Sequence, residues 1–402
     1  MSARNVRTVL VAVAVLVLGA GLARSQTPFA ATNIGQRIRP DDARVIARGG
    51  WGMAVADTTH PGFKNQASLT YLRHVALRYT GYGERTTSTT ASGERKTAEV
   101  YSPGIQVALP IVKTRLSFTA GFNMFGSTRW DTSEPAVWLV DGEEIKGDKV
   151  STRQGTRFNV PLGVAWRPFG GFSFAGSVNL ESGSVLEQYT ELFAAGTGLS
   201  ENILETRNLY EGTSYTLSAL WVPFDRLHLG ASWTPAYDLD VDRTAILSNV
   251  TVAARSTSQM RIADEYRAGL QLRLIRRWQI GADIQYMPMT EASLYAPWQE
   301  EAEDEYTLGV GLERLKARER RAGLRNLPLR LGANLHRWGY RFGGEPVDEL
   351  TFSIGTGFAL ANDLGQLDMA FSYGVIGDLE KNGAESTVYR LGISLTGLEA
   401  WW

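Results

Sequence analysis

Few side chains in this sequence have the type and spacing for covalent chemistry. There is no cysteine among 402 residues, which removes a thiol nucleophile, a zinc–thiolate site and a disulfide framework. The four histidines, His60, His74, His228 and His336, stand far apart, and no HExxH or related spacing presents a metal with two ligands on one face. No serine beside them lies in a GxSxG context. These absences argue against an enzyme and imply neither a metal nor a cofactor. Charge at regular positions is what the chain does carry: His74, Arg78, Glu181, Arg267, Arg273, Asp283, Arg330, His336, Asp368 and Arg390 all occupy the same phase of alternating segments. Mixed-sign charge on one inner face most often forms a pairing network. Asp41, Asp42, Arg44, Arg48 and Asp57, upstream, are the expected partners.

The segments that position these charges have a period of two. In "RFNVPLGVAW", Phe158, Val160, Leu162, Val164 and Trp166 share one face, opposite Asn159, Pro161, Gly163 and Ala165. "FSFAGSVNLE", "YRAGLQLRLI" and "WQIGADIQY" repeat the pattern, with a small or polar second face rich in glycine. We count 14 such segments. Most are longer than a globular strand and match a tilted membrane-spanning one. Their connections alternate between long and short. Gly126 to Gly155 and Gly183 to Gly212 are expected as long loops, separated by the short turn "RPFGG". Long loops on one end and short turns on the other mark an antiparallel transmembrane β-barrel of the bacterial outer membrane. An even strand count puts both termini on the periplasmic side. Two short turns share a W-x-P-F frame, at Trp166 and Trp221, as expected of strand ends at a membrane interface.

The ends of the chain fit this placement. "MSARNVR" followed by the apolar run Thr8 to Leu22 and "ARS" is a secretory signal peptide, residues 1–25. Residues 26–67 show no alternation and are expected to thread the lumen as a hatch, leaving 68–402 as the barrel. Tyr389, Leu391, Ile393 and Leu395 form the lipid-facing register of the last strand, continued by Trp401 and closed by Trp402. Such an ending resembles the signal read by the outer-membrane barrel assembly machinery, one expected partner beside outer-membrane lipid. A net charge of −1 gives no bulk attraction to nucleic acid. Pro103 and Pro161, each removing a ladder donor, are candidates for a gap in the wall.

"ARGGWGMAVAD" followed by "NQASL" resembles the hatch of the FadL-type outer-membrane transporters of long-chain fatty acids and related hydrophobic compounds. Ala47, Gly49, Gly50, Ala54, Ala56, Asp57, Asn65, Ala67 and Leu69 agree with that family's pattern. Gln66 and Ser68 depart from it, standing where the family has proline and glycine. The C-terminal segments, from "LPLRLGANL" to "VYRLGISL", are similar to the same superfamily, which also includes hatch-bearing barrels that act as scaffolds in protein secretion.

The resemblance implies passive uptake of a hydrophobic small molecule, captured at extracellular loops and released sideways into the membrane. The residues themselves supply candidates for the capture site: Val137, Trp138, Leu139, Val140, Leu192, Phe193 and Leu199 are apolar within stretches expected to be exposed. The charged lumen face fits a solute channel or a non-transporting scaffold equally well, the latter with a secretion-system partner.

Overall fold

The structure, a computed structural model, describes residues 27–31, 36–38, 41–140, 142–247, 253–275, 277–294, 300–316, 326–360 and 364–399. The expected signal peptide and the terminal pair Trp401 and Trp402 lie outside the described residues. The strands are β1 (Gln36–Arg37), β2 (Val75–Thr90), β3 (Gly93–Val112), β4 (Leu116–Val140), β5 (Glu143–Phe169), β6 (Phe172–Phe193), β7 (Asn202–Phe224), β8 (Leu227–Thr234), β9 (Tyr237–Leu247), β10 (Ala253–Ile262), β11 (Glu265–Arg273), β12 (Trp278–Met287), β13 (Glu305–Arg314), β14 (Leu329–Phe342), β15 (Glu345–Leu360), β16 (Gly365–Asp378) and β17 (Ala384–Glu399). All pairings are antiparallel, and β17 closes on β2 from Ala384–Thr90 to Glu399–Val75. β8 and β9 are two halves of one strand interrupted at Pro235, and β10 and β11 are interrupted across from them at Ala263 and Asp264. With β1 lying in the lumen, the wall is a closed barrel of 14 strands. Closure removes the sheet edges that the hydrocarbon layer cannot solvate.

The alternation places apolar residues outward. Phe158, Val160, Leu162, Val164 and Trp166 share the outer face of β5, a stretch that when tilted spans about 25 Å, the height of an outer-membrane apolar band. On β17, Tyr389, Leu391, Ile393 and Leu395 lie on the same outer face, while Ser394 and Thr396 are fully buried toward the lumen. Burial is therefore inverted relative to a globular protein: polar residues fill the interior and leucines face lipid.

The long connections are not loops. β4 to β7 run 25, 27, 22 and 23 residues, and the 126–155 stretch is one continuous hairpin with paired residues up to Val140–Glu143. The 183–212 stretch likewise stays paired to Glu191–Asn202. The reason is chemical. Past the apolar band the outer face meets water, so alternation of apolar with polar residues stops, but runs such as Ser127 to Ser133 keep β-compatible side chains and satisfy their backbone by pairing. The first strand also starts later than expected, at Val75, because Gln66–Tyr71 forms a 3-10 helix at the base of the hatch.

A charge-fixed hatch and a lumen cavity

The hatch enters the barrel from the long-hairpin end. Phe29 packs there on Trp338 and Phe342, with ring centroids 6.4 and 5.0 Å away, among Val347, Ile376 and Val388. The chain then descends the lumen and joins β2 at the short-turn end. The C-terminal strand ends at that short-turn end as expected. The first described residues, from Thr27, lie at the opposite end. An even strand count fixes only where the first and last barrel strands begin and end. It leaves the hatch free to run the height of the lumen.

Local chemistry shapes the descent. Asp42 caps the short helix Ala43–Ala47 by accepting from the Val45 N–H at 2.8 Å. Gly49 and Gly50 then turn the chain with φ of +67° and +90°, a region glycine enters without a Cβ penalty. From Arg48 to Met53 the hatch backbone lies directly on the barrel wall. The wall makes room with glycines: Gly332 and Gly309 face Gly49, Gly311 faces Arg48, Gly281 faces the Trp51 indole and Gly230 faces Met53. Gly311 is the cross-strand neighbour of both Gly281 and Gly332, so these three form a belt around the lumen face. Asn65 closes the base. Its amide donates to the carbonyls of Met53 (2.7 Å) and Ala219 (2.9 Å), and its oxygen accepts from Ala67 N (3.0 Å). Ala67 and Leu69 are buried with Leu72, Ala108 and Leu220 as an apolar floor. Gly49, Gly50, Asn65, Ala67 and Leu69 are thus brought into one structure, to which Asp57 is tied through Arg44 at 3.0 Å.

Ion pairs fix the hatch to the wall. Glu313 is fully buried and receives Arg44 (3.0 Å), Arg48 (3.2 Å) and Arg330 (2.9 Å), with Gln279 donating at 2.6 Å. Arg330 continues to Asp368 at 2.6 Å. Arg78 binds Asp42, and also donates to Gln106 (2.6 Å) and to the Pro61 carbonyl (3.1 Å). Asp283 accepts from Gly52 N (2.8 Å) and Met53 N (2.9 Å) and pairs with Lys64 at 3.3 Å. Arg37 bridges Glu265 (2.9 Å) and Glu305 (3.2 Å), and Arg267 shares Glu265 at 2.6 Å. Arg390 joins Glu84 and Glu349, while Glu181 accepts from Tyr237 (2.9 Å) and Ser214 (3.0 Å). Burial pushes the hatch carboxylates upward, but the guanidinium partners prevail. Arg78 and His60 hold Asp42 well below the usual carboxylate range, and Arg44 and His60 hold Asp57 at about 2.

Of the eight arginines, aspartates and glutamates expected on the lumen face, seven fall in this interior. Arg273 does not: it keeps the inward phase but lies exposed at the short-turn mouth, beyond the network. The central carboxylate, Glu313, was missing from the sequence-based set. The phase of Gly309, Gly311 and Glu313 in "LGVGLERL" is the signal that marks it as inward.

Between hatch and long end is a cavity of about 350 Å³. One wall is polar, with Arg157, Asn159, Asn179 and Ser214; another is apolar, with Ile262, Met287, Met289 and Trp338. Above it, inward-facing Tyr210, Leu239, Val241, Met260 and Leu294 pack into an apolar cap. The seven expected capture residues are split. Trp138 and Phe193 meet edge-to-face at 5.0 Å on the inward face of the β4–β6 wall, and the Trp138 indole donates to Glu191 at 3.3 Å. Val140 shares that face, whereas Val137, Leu139 and Leu192 point outward and Leu199 sits exposed in the β6–β7 connection. They do not form one pocket, because in a strand neighbours in sequence face opposite ways.

The wall is not uniform. β3 and β4 pair from Val112–Leu116 only as far as Gly104–Asn123. Higher up, β1 of the hatch pairs with β4 instead, Gln36 opposite Ser127 and Arg37 opposite Gly126, and the Ile38 N–H donates to the Phe125 carbonyl at 3.0 Å. Arg95 bridges to Asp131 at 2.8 Å near the top. Pro103 lies where β3 slips register against β2, between Thr80 and Tyr82, so it marks a bulge at the base of this separation. Pro161 lies in a wall that stays paired with β6.

The family model described as BamG matches residues 4–402. No curated protein matches the sequence. Among solved structures the chain is similar to a Pseudomonas aeruginosa FadL homologue, at 11% identity and TM-score 0.61, covering 90% of this chain and 98% of that one. It is also similar to the Ralstonia pickettii toluene transporter TbuX (13% identity, TM-score 0.56, 89% and 98% covered) and the Pseudomonas putida toluene transporter TodX (14%, 0.53, 90% and 98%). At these identities the likeness establishes the fold: a FadL-type, hatch-bearing barrel of the kind seen in outer-membrane transporters.

Proposed function

The chain belongs to the BamG family, and from that premise we propose that it is a scaffold barrel of the outer membrane that acts beside the barrel assembly machinery and does not conduct through its lumen. The family's name supports the association. The observation that carries the reading is the seating of the hatch, whose Arg44 and Arg48 share the buried Glu313 with Arg330 of the wall. Breaking one partner from a buried pair costs about 3–5 kcal/mol, and along the glycine belt of β12 to β14 the hatch and wall main chains touch with no room for a solute. In this reading the short-turn end faces the periplasm, the long hairpins stand outside, and residues 1–25 are removed on export. The test is purification from native membrane in mild detergent. A stoichiometric assembly-machinery subunit is expected, and its absence, with a lipid or alkyl chain bound in the lumen, overturns the reading.

One observation favours a second reading, passive uptake of hydrophobic small molecules of fatty-acid type by capture at the long end and lateral exit. The end of the β3–β4 ladder at Gly104–Asn123 offers a route from the cavity into the bilayer, covered by the short strand β1 and bridged higher up by Arg95 and Asp131. Lateral release spares an apolar solute from crossing water. Uptake of a labelled fatty acid that is unchanged by deleting the gene, or by Trp138→Ala with Phe193→Ala, sinks this reading.

A further inference from the structure

The short-turn mouth of the barrel is ringed by arginines that none of the above uses. Arg115, Arg167, Arg226, Arg273 and Arg277 each continue the inward register one step past a buried lumen residue: Ser117, Ala165, His228, Gln271 and Gln279. Backbone bonds set them side by side. The Arg167 N–H donates to the Arg115 carbonyl at 2.7 Å, and the Arg273 N–H to the Arg226 carbonyl at 2.8 Å. Like charges directly opposite on one face repel. Yet none of the five has a carboxylate within ion-pair distance among the described residues, whereas the arginines that seat the hatch, Arg44, Arg48 and Arg78, are each paired. Asp225 is the sole acid in the turns 111–115, 167–171, 222–226 and 273–277. The same turns carry exposed apolar tips, with Phe169, Phe224 and Ile275 at 63%, 70% and 74% exposure.

We propose that this mouth is a docking face for the acidic surface of a second protein, which would set carboxylates among the five guanidiniums while its apolar residues cover Phe169, Phe224 and Ile275. Three observations choose this occupant. Lipid headgroups meet outward residues, and among the described residues an outward cation here is a different one, Arg314, 6.0 Å over the Trp278 ring. An anionic solute leaving the lumen would have to pass the buried floor of Leu69, Leu72 and Ala108. Fork-shaped guanidiniums beside apolar tips have the composition of a protein interface, where arginine and aromatic residues are enriched. The face does not depend on what the lumen does, since a transporting barrel would carry the same ring.

The test uses the full-length barrel in nanodiscs with a polyglutamate peptide as probe, against the variant Arg115→Glu/Arg226→Glu/Arg273→Glu. These three side chains are exposed, and retained heat-modifiable mobility on gels checks that the variant is folded. A charge-neutral set, Arg→Gln at the same positions, covers the case in which reversal unfolds it. Peptide binding that weakens about ten-fold or more in either variant, and falls with salt, supports the face. In native envelopes, a photo-crosslinker at Phe224 should capture a discrete protein in the parent barrel and lose it in the variant. Absent peptide binding, binding indifferent to the substitutions, crosslinks to phospholipid alone, or full displacement by inorganic phosphate at the same charge concentration overturns it. A failed docking face leaves co-purification with the assembly machinery unaffected if contacts lie elsewhere, so the two outcomes are separable.

Discussion

Gly332 of the barrel wall lies so close to Gly49 of the hatch that a Cβ on Gly332 would collide with the Gly49 backbone nitrogen. Two main chains touch here without a side chain between them. Gly332→Ala is therefore expected to unseat the hatch, at about 1–3 kcal/mol for an overpacked site. The readout is faster protease cleavage within residues 41–72 while the barrel itself stays folded. Gly397→Ala, on β17 with nothing within 4 Å of its would-be Cβ, is the control expected to change little.

Glu313 is the carboxylate on which three guanidiniums converge, and its removal differs from the removal of any one of them. Glu313→Gln strips the buried Arg48 of its carboxylate and leaves Arg44 and Arg330 with Asp57 and Asp368 alone, so a loss of about 3–5 kcal/mol is expected. Arg48→Met should cost less, because Glu313 keeps Arg44 and Arg330. Thermal unfolding of both variants in one detergent checks the order. Equal losses would show that the convergence carries no special weight.

Acid should loosen the hatch before it opens the barrel. Asp57 has an ordinary value of 3.8 and is held at about 2 in the folded hatch, where Arg44 and His60 outweigh its burial. A depressed carboxylate contributes stability that is fully present above 3.8 and is lost as pH falls through about 2. Asp42, displaced the same way by Arg78 and His60, adds to the same loss. Trp51 fluorescence followed from pH 5 downward should therefore change below about pH 4. In Asp57→Asn the amplitude of that change should shrink, because one of the titrating groups is gone.

The barrel was legible because lipid imposes a strict period. Tyr389, Leu391, Ile393 and Leu395 repeat it, and Arg78, Asp283, Arg330 and Asp368 stand out as interruptions on the opposite phase. Phase alone does not report depth, so Arg273 was expected in the network and lies at the mouth. Nor does it mark where a strand ends once water replaces lipid outside it. Residues around Trp138 thus appeared as a loop although they extend β4. Glu313 was hidden beside Leu312, Arg314 and Leu315 at the end of its strand, where apolar and charged residues crowd both phases. The hatch contacts were beyond reach for a different reason. Gly49 and Gly332 are far apart in sequence, and a glycine has no side chain with which to advertise a partner.

The separation of β3 from β4 gives the two readings of the lumen a direct contest. Gln36 and Ser127 are Cα partners across β1 and β4, within the reach of a disulfide. The native chain has no cysteine, so Gln36→Cys with Ser127→Cys introduces a single bond. The oxidised pair fastens β1 over the end of the β3–β4 ladder, and reduction frees it. A lateral route for hydrophobic molecules requires β1 to leave, so uptake of a labelled fatty acid should fall under oxidising conditions and return with reductant. A scaffold has no such requirement. On the reading proposed here, uptake stays at background in both states, and the yield of assembly-machinery subunits in a pull-down is the same with β1 fastened or free.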